Sequence, residues 1–179
     1  NADGNTVFAS GLSRLASSDF AQLVLRSLTD DLSRTFHINW AQREHWDRNY
    51  AETRMPEVPS AILETMSHQN FGDMRFGHDP LFKFTLARSV YKSILRYVNY
   101  EHGVTNYLVQ PLAPHAFAAQ LSPDASSVRL SWQSTCDSLE ESAKPTGYVL
   151  YTRVDDDDFD NGLSIGNVTE YTLPLSAGH

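Results

Sequence analysis

The chain has a single cysteine, no long apolar run and no surplus of basic residues. Cys136 alone cannot form an intrachain disulfide or a cysteine-based zinc knuckle. No stretch of about 18 apolar residues is present, so the sequence predicts no membrane-spanning segment. The formal net charge of −8 argues against the basic patch of a nucleic-acid-binding protein. These absences exclude a disulfide scaffold, and we expect neither nucleic acid nor the interior of a bilayer as a partner.

The chain is long enough for one domain plus a small module, and its composition divides it in two. Its 179 residues are 41% hydrophobic and 20% charged, which is typical of a globular protein. The composition changes at Pro111 and Pro114, which are expected to form a stiff linker. We therefore expect one part over residues 1–110 and a second part over residues 111–179.

The first part combines strand and helix signals. Thr6–Ala9 is predicted to be a strand. A helix is predicted from about Ser18 to Ser33, with Ser18 as N-cap. A connector with several aromatic residues follows. Core and connector packing is the favoured interpretation of these aromatics, and stacking on a sugar or peptide is the alternative. The aromatic residues concerned are Trp40, Trp46 and Tyr50.

A second helix is predicted from Asp79, a natural N-cap, through Pro80, a natural first helical residue. It is expected to fray near Asn99. Apolar residues repeat every four positions along it, which predicts that this face packs on a core. The repeating residues are Phe82, Leu86, Val90, Ile94 and Val98.

A short apolar run ends abruptly in one carboxylate at Glu64. Ala61–Glu64 is predicted to be a buried strand, and Glu64 would then lie at its C-terminal edge. In open α/β sheets this edge is where ligands bind, so Glu64 is a candidate general acid/base. Residues 71–77 are predicted to form a glycine-containing loop, which Asn70 and Asp73 shape through local hydrogen bonds.

In the second part, short alternating segments are separated by turn-rich stretches, a pattern that predicts an all-β sandwich. Trp132 is expected in its core. The acidic run 155–160 is predicted to be a solvated turn. It lacks the glutamate that ends a calcium loop, so calcium is disfavoured. The three predicted strands are Val128–Trp132, Tyr148–Arg153 and Thr169–Leu173.

The motifs of the first part occur together at fixed spacing. They are Pro59-Ser60-Ala61-Ile62-Leu63-Glu64, Asn70, Asp73, Asp79-Pro80 and Ile94-Leu95-Arg96-Tyr97. In this pattern residues 6–98 resemble the C-terminal half of the zinc-dependent N-acetylmuramoyl-L-alanine amidase family. The resemblance implies an open-sheet α/β domain. It also implies an exported, periplasmic or extracellular bacterial enzyme that cleaves the amide between N-acetylmuramic acid and L-alanine in peptidoglycan. Glu64 would be the catalytic acid/base.

The chain departs from this family at Met66-Ser67-His68, beside Glu64. The family's zinc ligands lie on strands upstream of residue 1, so zinc is expected in the parent protein and no complete zinc site in this chain. His37 is expected to be a connector histidine. The full-length parent would be the enzyme, and this chain alone would be inactive. The main alternative is a non-catalytic cell-wall or glycan-binding protein with a degenerate amidase-like domain, and a hydrolase of another amide or polysaccharide also stays open.

The second part resembles a fibronectin type III domain. The segments at 128–132, 147–153 and 169–175 look like its strands B, C and E. Residues 111–179 are fewer than the roughly 100 residues typical of such sandwiches, so the module is expected to be incomplete. Its last two strands would lie past His179. Edges left by missing strands favour strand pairing between chains, a further expectation.

Overall fold

The structure is a computed structural model that describes residues 14–42, 46 and 48–175. The predicted strand Thr6–Ala9 lies outside the described residues. The chain divides into two compact units, with the boundary between Tyr107 and Leu108. It contains both helices and antiparallel sheets, so the mixed α and β content expected from the sequence is confirmed.

The first unit contains four helices in its described residues, and the two long ones run antiparallel. Phe36 at the end of the first long helix contacts Phe82 near the start of the second. At the opposite end, the Tyr97 hydroxyl donates to the Ala16 carbonyl oxygen at 3.2 Å. None of the described helices is both long and apolar enough to cross a bilayer. The helices are α1 (Arg14–Phe36), α2 (Ala51–Arg54), α3 (Phe71–Gly77) and α4 (Pro80–Glu101).

The core of the first unit lies between one end of α1 and the start of α4. Leu28, Leu32 and Phe82 are buried there. The Trp40 ring stacks on Phe82 with centroids 5.3 Å apart, so its predicted packing role is confirmed. The same prediction is wrong for Trp46, which is 61% exposed, and for Tyr50, which is 50% exposed. Half-buried apolar side chains surround the cluster: Phe36, Trp40, Met66, Phe76 and Leu86.

The predicted core face of α4 is only partly correct. Phe82 is buried, but Ile94 and Val98 are 45% and 46% exposed. The reason is that α1 packs on a different face of α4, where side chains are mostly small or polar. The buried residues of α4 are Phe82, Thr85, Ser89, Lys92 and Ser93.

The predicted buried strand Ala61–Glu64 is not found as a strand. The segment belongs to no sheet, and Ile62 and Leu63 are 49% and 37% exposed. The physical reason is that the described residues of the first unit form helices and loops and offer no strand for it to pair with. The predicted loop at residues 71–77 is also wrong, because this stretch forms α3.

The second unit contains two antiparallel sheets in its described residues. One has the order β1-β2-β5 and the other pairs β3 with β4. The three predicted strands are present, although the middle one ends at Leu150 rather than Arg153, while β1 and β4 were not predicted. The strands are β1 (His115–Leu121), β2 (Ser127–Gln133), β3 (Tyr148–Leu150), β4 (Leu163–Gly166) and β5 (Glu170–Pro174).

Trp132 joins the two sheets. It is 7% exposed, and its ring lies edge to face against Tyr148 with centroids 5.2 Å apart. The predicted core role of Trp132 is therefore confirmed. Gly162 precedes β4 with a φ of +77°, and a Cβ there would lie 2.6 Å from Cε1 of Tyr151. Both the backbone angle and the close approach require glycine at this turn.

Candidate functional site

Glu64 lies in the segment that joins α2 to α3, and its side chain is exposed. This segment contacts the helices on both sides of Glu64. Before Glu64, the Ser60 backbone N–H donates to Oγ of Ser17 in α1 at 3.1 Å. After Glu64, Met66 packs against the buried cluster of Leu28, Leu32 and Phe82. Glu64 is therefore held between two fixed points while its carboxylate faces solvent.

The turn after Glu64 is closed by the side chains of Asn70 and Asp73. Oδ1 of Asn70 accepts from the backbone N–H of Gly72 at 2.8 Å and of Asp73 at 3.3 Å, which caps α3. Oδ2 of Asp73 accepts from the Ser67 N–H at 2.8 Å. The prediction that these residues shape the chain through local hydrogen bonds is confirmed, although they do so at a helix start rather than in a loop.

Two further motif residues position α4. Oδ1 of Asp79 accepts from the Leu81 N–H at 2.8 Å, so Asp79 is the N-cap and Pro80 opens the helix, as predicted. At the other end, the Tyr97 hydroxyl bonds to α1. Burial raises the pKa of Tyr97, and the carboxylates of Glu101 and Asp19 raise it further. Tyr97 therefore stays protonated and able to donate its hydrogen bond at neutral pH.

The histidines do not assemble into a metal site in the described part of the chain. No three His, Cys, Asp or Glu residues come close enough to hold a metal ion there. His37 is exposed and follows α1 directly, with a φ of +54°. His68, two residues before the Asn70 cap, is also exposed. His45 lies outside the described residues. The described side chains therefore do not fit a zinc site.

The acidic run of the second unit forms a turn that Asp160 closes. Oδ2 of Asp160 accepts from Oγ1 of Thr152 at 2.6 Å, and Oδ1 accepts from the Gly162 N–H at 2.9 Å. These hydrogen bonds to the charged form lower the pKa of the Asp160 carboxyl. The prediction of a solvated turn for residues 155–160 is confirmed, since the whole run is exposed.

Two features of the first unit were not predicted from the sequence. One is a buried ion pair, in which Nζ of Lys92 lies 2.9 Å from Oδ2 of Asp31. The other is an exposed aromatic position, where the guanidinium carbon of Arg48 lies 5.4 Å from the centroid of the Trp46 ring.

The motif residues Asn70, Asp73 and Asp79 thus fix the turn and the helix starts that follow Glu64. Comparisons of the chain with protein-family models, with curated proteins and with solved structures find no match.

Proposed function

We propose that this chain is part of an exported bacterial hydrolase that cleaves the amide between N-acetylmuramic acid and L-alanine in peptidoglycan. The supporting observation is that the motif residues between Pro59 and Tyr97 have the spacing of the zinc-dependent amidase family. The local roles of Asn70 and Asp79 as helix caps are compatible with this motif. Capping explains why the amide of Asn70 and the carboxylate of Asp79 would be needed there even if neither group takes part in the chemistry.

In this proposal Glu64 is the acid/base. Amide hydrolysis needs a group that removes a proton from the attacking water and returns it to the departing amine, and a carboxylate in contact with the substrate can do both. Glu64 is accessible from solvent and its backbone is tethered on both sides, so a substrate can reach it. Because the described residues do not fit zinc, any metal ligands of the parent enzyme would come from sequence outside them.

For the second unit we propose an incomplete fibronectin type III module. The first, second and fifth strands share one sheet, and the third and fourth form the other. Two antiparallel sheets between which the chain alternates are typical of immunoglobulin-like sandwiches. The buried Trp132 on the second strand, against Tyr148 on the third, supports the same assignment. The fold does not specify a ligand, so we assign the module a spacing or positioning role.

The test measures new alanine amino groups released from peptidoglycan by the natural polypeptide that carries this sequence, supplied with zinc. We expect release by the wild type and a loss of about 100-fold or more in Glu64→Gln, as for removal of a general acid/base. Glu52→Gln, which neutralises another exposed carboxylate in α2, should be unaffected. Equal release by wild type and Glu64→Gln would remove Glu64 from the chemistry.

A non-catalytic glycan-binding protein is the second candidate, and one observation favours it. Trp46 and Tyr50 are exposed, and aromatic side chains held in solvent are common in binding surfaces. If this candidate is correct, the polypeptide will sediment with peptidoglycan and release no alanine amino groups. Binding would then weaken in Trp46→Ala and persist in Glu64→Gln. This result would replace the hydrolase proposal.

A further inference from the structure

Asn161 directly precedes Gly162 in the turn between β3 and β4, and every other asparagine of the chain precedes a residue with a larger side chain. An asparagine side chain can react with the backbone nitrogen of the next residue. Glycine leaves that nitrogen the most accessible, because it carries no Cβ and restricts the backbone least. Asn161 is also exposed, so water can reach its side-chain amide. Its local sequence therefore favours deamidation more than that of any other asparagine in the chain.

Deamidation at this position would proceed through a cyclic imide. The Gly162 backbone nitrogen loses its proton to a solvent base and forms a bond with Cγ of Asn161. The bond between Cγ and Nδ2 breaks, and the departing nitrogen takes up a proton and leaves as ammonia. Water then opens the ring at one of its two carbonyl groups, which gives aspartate or isoaspartate at position 161. The reaction requires the loss of the Gly162 amide proton, because an amide nitrogen that keeps its proton is a poor nucleophile.

The structure places this amide proton in a hydrogen bond to a carboxylate. The Gly162 N–H donates to Oδ1 of Asp160 at 2.9 Å. Asp160 is itself held by Thr152, whose hydroxyl donates to Oδ2 at 2.6 Å and whose carbonyl oxygen accepts from the Asp160 N–H at 2.9 Å. Removal of the Gly162 proton would create a negative charge beside the Asp160 carboxylate and would lose a charge-assisted hydrogen bond. Asp160 therefore opposes the first step of deamidation.

The packing of Gly162 shows what deamidation would do to the turn. A Cβ at Gly162 would lie 2.6 Å from Cε1 of Tyr151 and 2.7 Å from Cγ1 of Val149, so the backbone passes close to these two side chains. Isoaspartate at position 161 would add one methylene to the backbone directly before this contact. It would also add one negative charge beside Asp160. Both changes would oppose closure of the turn, so conversion would keep the turn open.

We propose that Asn161 is a deamidation site that the closed turn protects through the Asp160 carboxylate. Conversion then takes place when the turn opens and the Gly162 N–H leaves Asp160. Asp160 is a protecting residue rather than a reactant, because no bond to it forms or breaks. The proposal concerns the second unit and is independent of the hydrolase assignment.

Peptide mapping of the full chain by mass spectrometry, after incubation in mildly alkaline buffer, tests the proposal. We expect Asn161 to convert at least about tenfold more slowly in the folded wild type than in the chain unfolded by guanidinium chloride. Asp160→Ala removes the acceptor and should raise the rate in the folded chain by about tenfold, because a hydrogen bond to a charged group is lost. Asp158→Ala is the matched control. It removes the same charge from the same acidic run and should leave the rate unchanged.

Amide exchange of β3 and β4 checks that each variant keeps these paired strands. If Asp160→Ala loses this protection, Asp160→Ser takes its place, since the serine hydroxyl can accept from the same N–H more weakly. The folded Asp160→Ser chain should then convert Asn161 faster than the wild type. Equal rates in the wild type and in a folded Asp160 variant would overturn the proposal. So would a wild-type rate equal to that of the unfolded chain, or an equal rise in Asp158→Ala and Asp160→Ala.

Discussion

Strand β2 of the second unit and helix α4 of the first unit place their apolar residues in opposite ways. In the second unit, β2 turns Leu130 and Trp132 inward and Arg129 outward, as a half-buried strand should. In the first unit, α4 turns small and polar residues toward α1, while Ile94 and Val98 lie exposed on another side. The alternation along β2 thus agrees with its buried face, whereas the apolar repeat of α4 does not, because α1 covers the face of α4 that carries small and polar side chains.

The largest expected effect is a loss of stability in the second unit. Trp132→Ala removes the aromatic side chain that contacts Tyr148 across the two sheets. Replacing a buried tryptophan by alanine costs about 4 kcal/mol in the free energy of unfolding. Amide exchange should therefore rise throughout β2 and β5, while α1 and α4 keep their protection. Phe117→Ala, at a position 64% exposed in the same sheet, should cost about 0.5 kcal/mol or less. Equal effects of the two variants would contradict a core role for Trp132.

A somewhat smaller loss of stability is expected for the pair of helices α1 and α4 in the first unit. Lys92 and Asp31 have side chains that are only 1% and 7% exposed, with Nζ and Oδ2 2.9 Å apart. Lys92→Met leaves the Asp31 carboxylate buried and unpaired, which costs about 3 kcal/mol. This change should lower the denaturation midpoint of α1 and α4 without affecting the β-strands.

The matched control for the ion pair is the double variant Asp31→Leu with Lys92→Met. It removes both charges and should recover most of the lost stability, since apolar replacement of a whole buried pair is often neutral. A double variant as unstable as Lys92→Met alone would show that the side-chain shapes, rather than the unpaired charge, cause the loss.

Features whose sequence signals are local were predicted correctly, whereas a feature that depends on distant residues was not. The start of α4 was predicted because Asp79 and Pro80 act within one turn, and β2 was predicted from alternation within five residues. The burial of residues 61–64 was not predicted correctly. A strand is buried only by partners elsewhere in the chain, and an apolar run carries no information about their presence.

The candidate site shows the same contrast between local and non-local signals. The sequence placed Asn70 and Asp73 in local hydrogen bonds, which the structure confirms, but assigned them to a loop. The misassigned stretch contains two glycines, Gly72 and Gly77, which weaken any helix prediction. The exposure of Trp46 could not be predicted, because aromatic residues in a connector occur in cores and on surfaces alike.

The smallest expected effect concerns Asn70, the N-cap of α3. Variants of this residue distinguish a role in folding from a role in the chemistry. Oδ1 of Asn70 satisfies two backbone N–H groups at the start of α3. Asn70→Ala should therefore cost about 1 kcal/mol in stability, whereas Asn70→Ser keeps an oxygen acceptor and should cost little. Chemical denaturation measures both. If Asn70 only folds the chain, alanine release from peptidoglycan per folded molecule will be unchanged in both variants. Loss of release in Asn70→Ser, with stability retained, would show that the amide acts on substrate and would place a second functional group beside Glu64.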